Sequence, residues 1–175
     1  MKWNHKKRIK ELPNLLKKKI LILDGAMGTM IQEENLSEED FRGKRFLDHP
    51  KDLYGNNDIL SITRPDLISK IHNQFLNAGS NIIETNSFSS TKISQSDYGL
   101  EDLSYELNFE SARIARRECD LFEKKFPEEP KYVAGALGPT NKTASLSPDV
   151  SDPGKRDITY DEFNNLKDNK KKMIY

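Results

Sequence analysis

Polar side chains that can bind ligands or transfer protons are concentrated at three places, each directly after a short apolar run. These are residues 24–29 (DGAMGT), residues 84–88 (ETNSF) and residues 138–141 (GPTN). The carboxylates of Asp24 and Glu84 can bind an ammonium group, act as a general acid and base, or hold a metal ion. The residue types alone leave these three chemistries open.

The glycines of the first cluster, Gly25 and Gly28, leave backbone N–H groups open to a carboxylate or a phosphate. The sequence contains no phosphate loop and no GxGxxG motif, so nucleotide binding has little support. An alternative interpretation is that Asp24 and Gly25 only form a turn and that Glu84 only caps a helix. Three polar clusters after three apolar runs favour a binding site over that alternative.

The three apolar runs predict strands at residues 19–25, 81–86 and 132–137, the first of them buried on both faces. Apolar residues recur with helical spacing over residues 65–79 and 100–125, and each of these stretches lies between two predicted strands. Alternating strands and helices predict an α/β fold with a parallel sheet. Active sites in such sheets form where the strands end, which is where the polar clusters lie.

Three further segments complete the predicted organisation. Residues 1–19 carry eight Lys or Arg side chains against one acid, which indicates a solvated helix or tail. Residues 33–58 are polar and contain two glycines and a proline, so we expect a long irregular insertion with about one helical turn. Thr159 and Glu162 have the spacing of a capping box, which predicts the start of a third helix.

Composition excludes several classes of partner. Lys+Arg and Asp+Glu are equal at 28 each, so there is no overall field to attract nucleic acid. No apolar run approaches the length of a membrane span, so we expect no membrane partner. The single cysteine, Cys119, cannot form a disulfide within the chain and fits a reducing compartment, so the predicted location is cytoplasmic.

Several segments together resemble the homocysteine-binding domain of cobalamin-dependent methionine synthases. Their order and spacing extend over residues 20–163, and the segments are residues 22–32, 55–58, 63–65, 84–88, 138–143 and 145–150. The resemblance implies that the α/β fold is the N-terminal half of a (β/α)8 TIM barrel, incomplete in this chain.

The resemblance also sets the predicted domain boundaries. A basic N-terminal extension covers residues 1–19, the half barrel covers residues 20–163, and a polar tail outside the family pattern covers residues 164–175. The helix announced by Thr159 acquires no apolar face in the sequence, because a polar run follows it. Two interpretations stay open, a frayed C-terminal tail and a departure of the sequence from the family pattern near residue 163, and we favour the second.

The family pattern assigns a substrate to the first two polar clusters. It implies that Asp24, with the backbone of Gly25 and Ala26, binds the amino-acid end of homocysteine. It also implies that Glu84 and Asn86 line the same pocket. For an amino-acid substrate, ammonium recognition then suits the two carboxylates better than acid–base catalysis does.

Zinc and cobalamin are cofactors of the full-length family. The resemblance implies that three cysteine thiolates from later parts of the barrel hold zinc, with homocysteine in the open fourth position. Those regions are outside this sequence, and His5, His49 and His72 lack metal-ligand spacing. Cys119 falls in a predicted helix facing the barrel exterior, where a structural or surface role is expected. We expect no metal, no cofactor and no catalytic residue on this chain alone.

The expected partners are homocysteine, a complementing C-terminal half-barrel, and modules that carry cobalamin and folate. Two alternatives to a cobalamin-dependent enzyme stay open at this point. The chain can be a non-catalytic fragment, or it can belong to a homocysteine methyltransferase that uses betaine or S-methylmethionine. The segments at residues 55–58 and 147–150 favour the cobalamin type.

Overall fold

The computed structural model describes residues 5–139, 142, 146–156 and 158–161. Within these residues two parallel strands, β1 (Ile82–Glu84) and β2 (Tyr132–Ala134), pack against helices. The helices are α1 (His5–Leu16), α2 (Met27–Glu33), α3 (Glu38–Arg42), α4 (Leu60–Thr63), α5 (Pro65–Asn77), α6 (Lys92–Ser96) and α7 (Ser104–Lys125). None of these helices combines the length and apolarity needed to cross a membrane.

The predicted parallel sheet is confirmed, with strands shorter than expected. Ile82 lies opposite Tyr132 and Glu84 lies opposite Ala134 in the register of β1 and β2. The first predicted strand, residues 19–25, runs beside β1 through a single parallel bridge between Leu23 and Ile82. These three segments end at the same edge, so their polar clusters meet there.

The prediction that residues 19–25 form a strand buried on both faces is wrong. Ile20 is 90% exposed and Ile22 is 57% exposed. In the described part of the chain this segment has a neighbouring strand on one side only, which is β1. The apolar run therefore located a segment that pairs with β1 at one bridge, but it could not reveal how exposed that segment is.

Both long predicted helices are confirmed. Helix α5 begins at Pro65, which suits a first helical position because its missing N–H has no helical partner there. It ends before Gly79, whose φ of +108° an L side chain rarely adopts. Helix α7 packs along α5 and ends at Lys125, shortly before Pro127.

The segment predicted as an insertion is part of the main core. Phe41 and Leu53 are buried in it together with residues of α4, α5 and α7. The Arg42 guanidinium donates to the carbonyl oxygens of His49 at 2.7 Å and Lys51 at 3.0 Å, and it pairs with Glu38. These hydrogen bonds provide donors for backbone carbonyl groups that lie outside any helix or strand, so the Arg42 side chain holds this loop together.

A second apolar cluster joins α5, β1 and α7, and it contains Cys119. The Cys119 thiol is fully buried, with Sγ 3.9 Å from the Tyr132 carbonyl oxygen. Its role is therefore structural, and the expected surface alternative is wrong. His72 on α5 is also fully buried, neither ring nitrogen has a hydrogen-bond partner among the described residues, and burial lowers its pKa to about 4.

The two ends of the chain are described in part. Helix α1 covers His5–Leu16, in agreement with the prediction of a solvated leading helix, and Ile9 and Leu16 are exposed. Helical backbone is present at Tyr160 and Asp161, where the third helix was predicted to start. Glu162 of that capping box and the predicted tail, residues 164–175, lie outside the described residues.

Candidate functional site

The strand ends open onto a cavity of about 700 Å³. All five residues predicted from the sequence to bind substrate line it, namely Asp24, Gly25, Ala26, Glu84 and Asn86. The third polar cluster contributes Pro139, whereas Thr140 and Asn141 lie outside the described residues. The volume is within the range of small-molecule sites, so the strand ends form a candidate binding site.

Hydrogen bonds to β1 fix Asp24 at the end of the strand-like segment of residues 19–25. Its backbone N–H donates to the Ile82 carbonyl oxygen at 2.9 Å, and its carboxylate oxygens accept the Glu84 N–H at 3.0 and 3.1 Å. Burial raises the pKa of Asp24 to about 6; the Glu84 N–H opposes this rise and the Glu84 carboxylate adds to it. Near neutral pH the carboxyl is mostly ionised, and a bound cation would favour that state.

Asn86 is buried, and its side-chain amide group is already engaged. Nδ2 donates to the Asn57 carbonyl oxygen at 2.8 Å and to Ser61 Oγ at 3.2 Å. An amide has two N–H donors, so the side-chain group left for a ligand is the carbonyl oxygen. Together with the carboxylates of Asp24 and Glu84, it makes the predicted residues a set of hydrogen-bond acceptors.

Gly25 and Ala26 connect Asp24 to α2 and are exposed. A Cβ atom on Gly25 would lie 3.7 Å from the Phe75 ring, an ordinary contact. A side chain would therefore fit at position 25. Gly25 and Ala26 contribute exposed backbone groups to the cavity. A carboxylate beside this backbone would find N–H donors close to Asp24.

Gly138 is the glycine that the site requires for steric reasons. A Cβ atom at this position would lie 2.5 Å from the Phe88 carbonyl oxygen, closer than real contacts allow. The Gly138 N–H donates to that same oxygen at 3.2 Å. The segment that follows β2 therefore packs directly on the loop that follows β1, residues 85–91.

Sequence reasoning assigned no site role to one whole wall of the cavity. This wall consists of residues 55–58, Ser89, Ser94, Asp97 and Tyr98. Residues 55–58 contributed to the family resemblance, but their polar composition gave no sign that they face Asp24. Asp97 and Tyr98 follow the short helix α6, where no spacing pattern indicates a site. Burial raises the pKa of the Tyr98 hydroxyl, and the charges of Asp97 and Asp58 raise it further.

A comparison with protein families decides the family of the chain. Residues 21–169 match the model described as homocysteine S-methyltransferase. The chain belongs to the homocysteine S-methyltransferase family. The match covers all three strand ends and every residue that lines the cavity.

Solved structures of the homocysteine methyltransferase MmuM from Escherichia coli are similar to this family member. The metallated form is 26% identical with a TM-score of 0.57, over 73% of this chain and 41% of that chain. The oxidised form is 27% identical with a TM-score of 0.58, over 73% of this chain and 40% of that chain. The chain spans about two fifths of the length of the chains it matches.

The described residues of this homocysteine S-methyltransferase family member do not supply the zinc site that the resemblance implies for the full-length family. No group of three or more His, Cys, Asp or Glu side chains among them is arranged to hold a metal ion. Cys119 is enclosed between α7 and the sheet and is not among the residues that line the cavity. That the chain alone binds no metal stays a prediction for metal analysis.

The cavity of this family member is acidic. Four carboxylate residues line it, Asp24, Asp58, Glu84 and Asp97, and none of its lining residues in the described part of the chain is Lys, Arg or His. Carboxylates in a partly enclosed space favour a cation and repel an anion. The charge of the cavity therefore favours a ligand that carries a positive group over one that carries only negative groups.

Proposed function

We propose that this chain is the homocysteine-binding part of a zinc- and cobalamin-dependent methionine synthase, in which methyl transfer to homocysteine gives methionine. The observation that carries the proposal is the acidic cavity headed by Asp24 in a member of the homocysteine S-methyltransferase family. The proposal gives this chain the recognition of the amino acid. The zinc ligands and the cobalamin and folate modules belong to a complementing part, and the chain is inactive alone.

Homocysteine offers an ammonium group, a carboxylate and a thiol. The ammonium group donates to the carboxylates of Asp24 and Glu84 and to the side-chain oxygen of Asn86. The substrate carboxylate takes backbone N–H groups of Gly25 and Ala26. Charge-assisted hydrogen bonds of this kind are the stronger ones in proteins, so they orient the amino-acid end and leave the thiol free for the methyl donor.

A second candidate function keeps homocysteine as the acceptor and changes the donor. Betaine and S-methylmethionine both carry a positive charge on the atom that bears the methyl group. Asp97 and Tyr98 also line the cavity, and a carboxylate and an aromatic ring are groups that attract onium cations. The acidic cavity favours this donor class, whereas the resemblance at residues 55–58 and 147–150 favours cobalamin.

The alternative of a non-catalytic fragment, or of a half-barrel that needs a complementing chain, follows from the sheet edges. Ile20, Ile22 and Leu137 are apolar and exposed beside strand segments. Open edges and exposed apolar side chains favour pairing with further chain, so a partner carrying the rest of the barrel would cover them. Co-purification with a chain that supplies the missing cysteines supports assembly, and the proposed location of both is the cytoplasm.

Calorimetric titration of the full chain with L-homocysteine under reducing conditions tests the proposal. We expect binding by the wild type, and we expect Asp24→Asn to weaken it by roughly thirtyfold, because a hydrogen bond to a charged group contributes about 2 kcal/mol. Glu101→Gln, an exposed change outside the cavity, is the matched control and retains wild-type affinity. Equal affinities for Asp24→Asn and the control would contradict the proposal.

Metal analysis of the same purified chain tests the proposal that the zinc ligands belong to a complementing part. We expect zinc well below one ion per chain after dialysis against a weak chelator. One tightly bound zinc ion per chain would show that the chain holds its own metal site, and recognition alone would then be too narrow a role.

A further inference from the structure

Three consecutive residues of the unassigned cavity wall hold the 85–91 loop. The side chain of Asn56 exchanges hydrogen bonds with Gln95 at 2.9 and 3.3 Å, and Gln95 Nε2 in turn donates to the Ser89 carbonyl oxygen at 3.1 Å. The Asn57 carbonyl oxygen accepts from Asn86 Nδ2 at 2.8 Å. Asp58 Oδ2 accepts the Ser89 N–H at 2.8 Å and the Ser90 hydroxyl at 2.6 Å. The segment therefore contacts the loop at both ends of the Asn86–Ser90 stretch.

Asp58 makes the strongest of these contacts. It is 4% exposed, and a carboxylate in that setting is stable only when donors surround it. On the other side of the loop, Ser104 Oγ and Asn108 Nδ2 on α7 donate to the Ser90 carbonyl oxygen at 2.7 and 2.8 Å. Helix α7 thus holds the loop from behind, and Asp58 determines where Ser89 lies along the cavity wall.

The position of this stretch matters because Asn86 and Phe88 lie on it. Asn86 is the residue whose side-chain oxygen is left for a ligand, and Phe88 packs on Gly138 in the segment that follows β2. A shift at Ser89 would move both residues, since they lie within three residues of it along the chain. The Asp58 carboxylate, with two donors on Oδ2, acts on the site through the loop.

We propose that Asp58 is a positioning residue of the homocysteine pocket, holding Ser89 and Ser90 so that Asn86 presents its side-chain oxygen to the substrate ammonium group. The inference rests on the proposed function, because the identity of the ligand comes from it. The geometry of the loop does not depend on that identity, so the two claims can fail separately.

Two readouts on the full chain test the inference. In Asp58→Asn, amide hydrogen exchange of residues 86–90 rises by roughly tenfold or more, because one charge-assisted contact is lost. The matched control is Glu38→Gln, whose carboxylate also accepts a backbone N–H, that of Leu53, outside the cavity. Unchanged exchange at residues 86–90 in Asp58→Asn would overturn the inference, even if the wild type binds no homocysteine.

The second readout is homocysteine affinity in a double-mutant cycle. Asp58→Asn alone weakens binding by roughly tenfold, and adding it to Asn86→Ala costs less than about twofold more, because residues that act through one contact are not additive. The affinity for 4-mercaptobutyrate, which lacks the amino group, is unchanged by Asp58→Asn. Additive losses, or equal losses for both ligands, would mean a general structural role and would contradict positioning.

Protein stability is controlled separately. Thermal melting identifies a variant that does not fold, and Ser90→Ala then replaces Asp58→Asn, since it removes only the hydroxyl donor. We expect Ser90→Ala to weaken homocysteine binding by roughly threefold, the size of one neutral hydrogen bond. A folded Ser90→Ala variant with wild-type affinity and wild-type exchange would also count against the inference.

Discussion

Burial changes the protonation of one group in the acidic cavity and of one group in the interior, His72 on α5, and the two consequences differ. In the cavity, burial raises the pKa of Asp24 to about 6, while backbone N–H donors and an opening to the ligand space keep the ionised form accessible. On α5, burial lowers the pKa of His72 to about 4, and neither ring nitrogen has a hydrogen-bond partner among the described residues. Asp24 can therefore bind a cation in its ionised form, whereas His72 is an uncharged side chain packed in the interior.

The largest effect is expected for the pH dependence of stability that comes from His72, the buried histidine of α5. The folded pKa of His72 lies below its ordinary value of 6.5, so the stability that its neutral ring provides is complete above pH 6.5. It is lost as the pH falls toward 4, by up to about 3 kcal/mol. The free energy of unfolding, measured with urea from pH 7 to pH 4, should fall more steeply in wild type than in His72→Leu.

The control for this experiment is Leu76→Met, a buried apolar change in the same helix that keeps the wild-type pH dependence. Carboxylates that titrate in the same range affect all three proteins alike, so the difference between the variants isolates His72. Parallel pH profiles for wild type and His72→Leu would mean that the ring finds a proton acceptor in the folded protein, and the contrast with Asp24 would disappear.

Features of the fold that depend on local sequence patterns could be predicted, whereas contacts between distant residues could not. Residues 65–79 and 100–125 could be predicted as helices because their apolar spacing is local, and the polar ends of the strands could be predicted because they follow apolar runs. The contact between Asp58 and Ser90 joins residues 32 positions apart in the chain. No local pattern encodes such a contact, so a whole cavity wall was missed.

The errors in the fold prediction have the same physical origin. Residues 33–58 contain many polar side chains, but Phe41 and Leu53 supply the burial and Arg42 satisfies the turn. Composition averages over these residues and therefore predicted an irregular insertion. The exposure of Ile20 depends on which strands lie beside it, and that neighbourhood is a property of the whole sheet.

The second prediction concerns the cavity and is smaller. Asp24 must be ionised to receive the ammonium group, and its folded pKa of about 6 lies in the accessible range. Homocysteine affinity should rise by roughly tenfold between pH 5 and pH 7, as the ionised fraction of Asp24 rises. Calorimetry across this range measures the change, with 4-mercaptobutyrate as the comparison ligand.

The comparison ligand has no ammonium group, so its affinity should not rise over the same pH interval. If both ligands bind more tightly as the pH rises, the pH dependence belongs to another group in the protein. If neither ligand binds more tightly, Asp24 does not contact the substrate. Asp24 and His72 would then differ only in how burial shifts their pKa values.

The smallest effect is expected at a site outside both regions. Arg45 and Glu106 form an ion pair on the surface, and the pairing lowers the pKa of Glu106. Surface pairs of this kind contribute little, so Glu106→Gln should change the free energy of unfolding by less than about 1 kcal/mol. Urea denaturation measures this value, and a loss above about 2 kcal/mol would show that exposed pairs matter as much here as the buried His72.

The most direct test of the central claim is the ionisation of Asp24 itself, followed by carbon-13 NMR of its side-chain carboxyl with and without homocysteine. We expect an Asp24 pKa of about 6 in the free chain and a clear decrease when homocysteine binds, because the ammonium group stabilises the carboxylate. An Asp24 pKa that is the same in saturating homocysteine would contradict the assignment of the acidic cavity to the amino-acid end of the substrate.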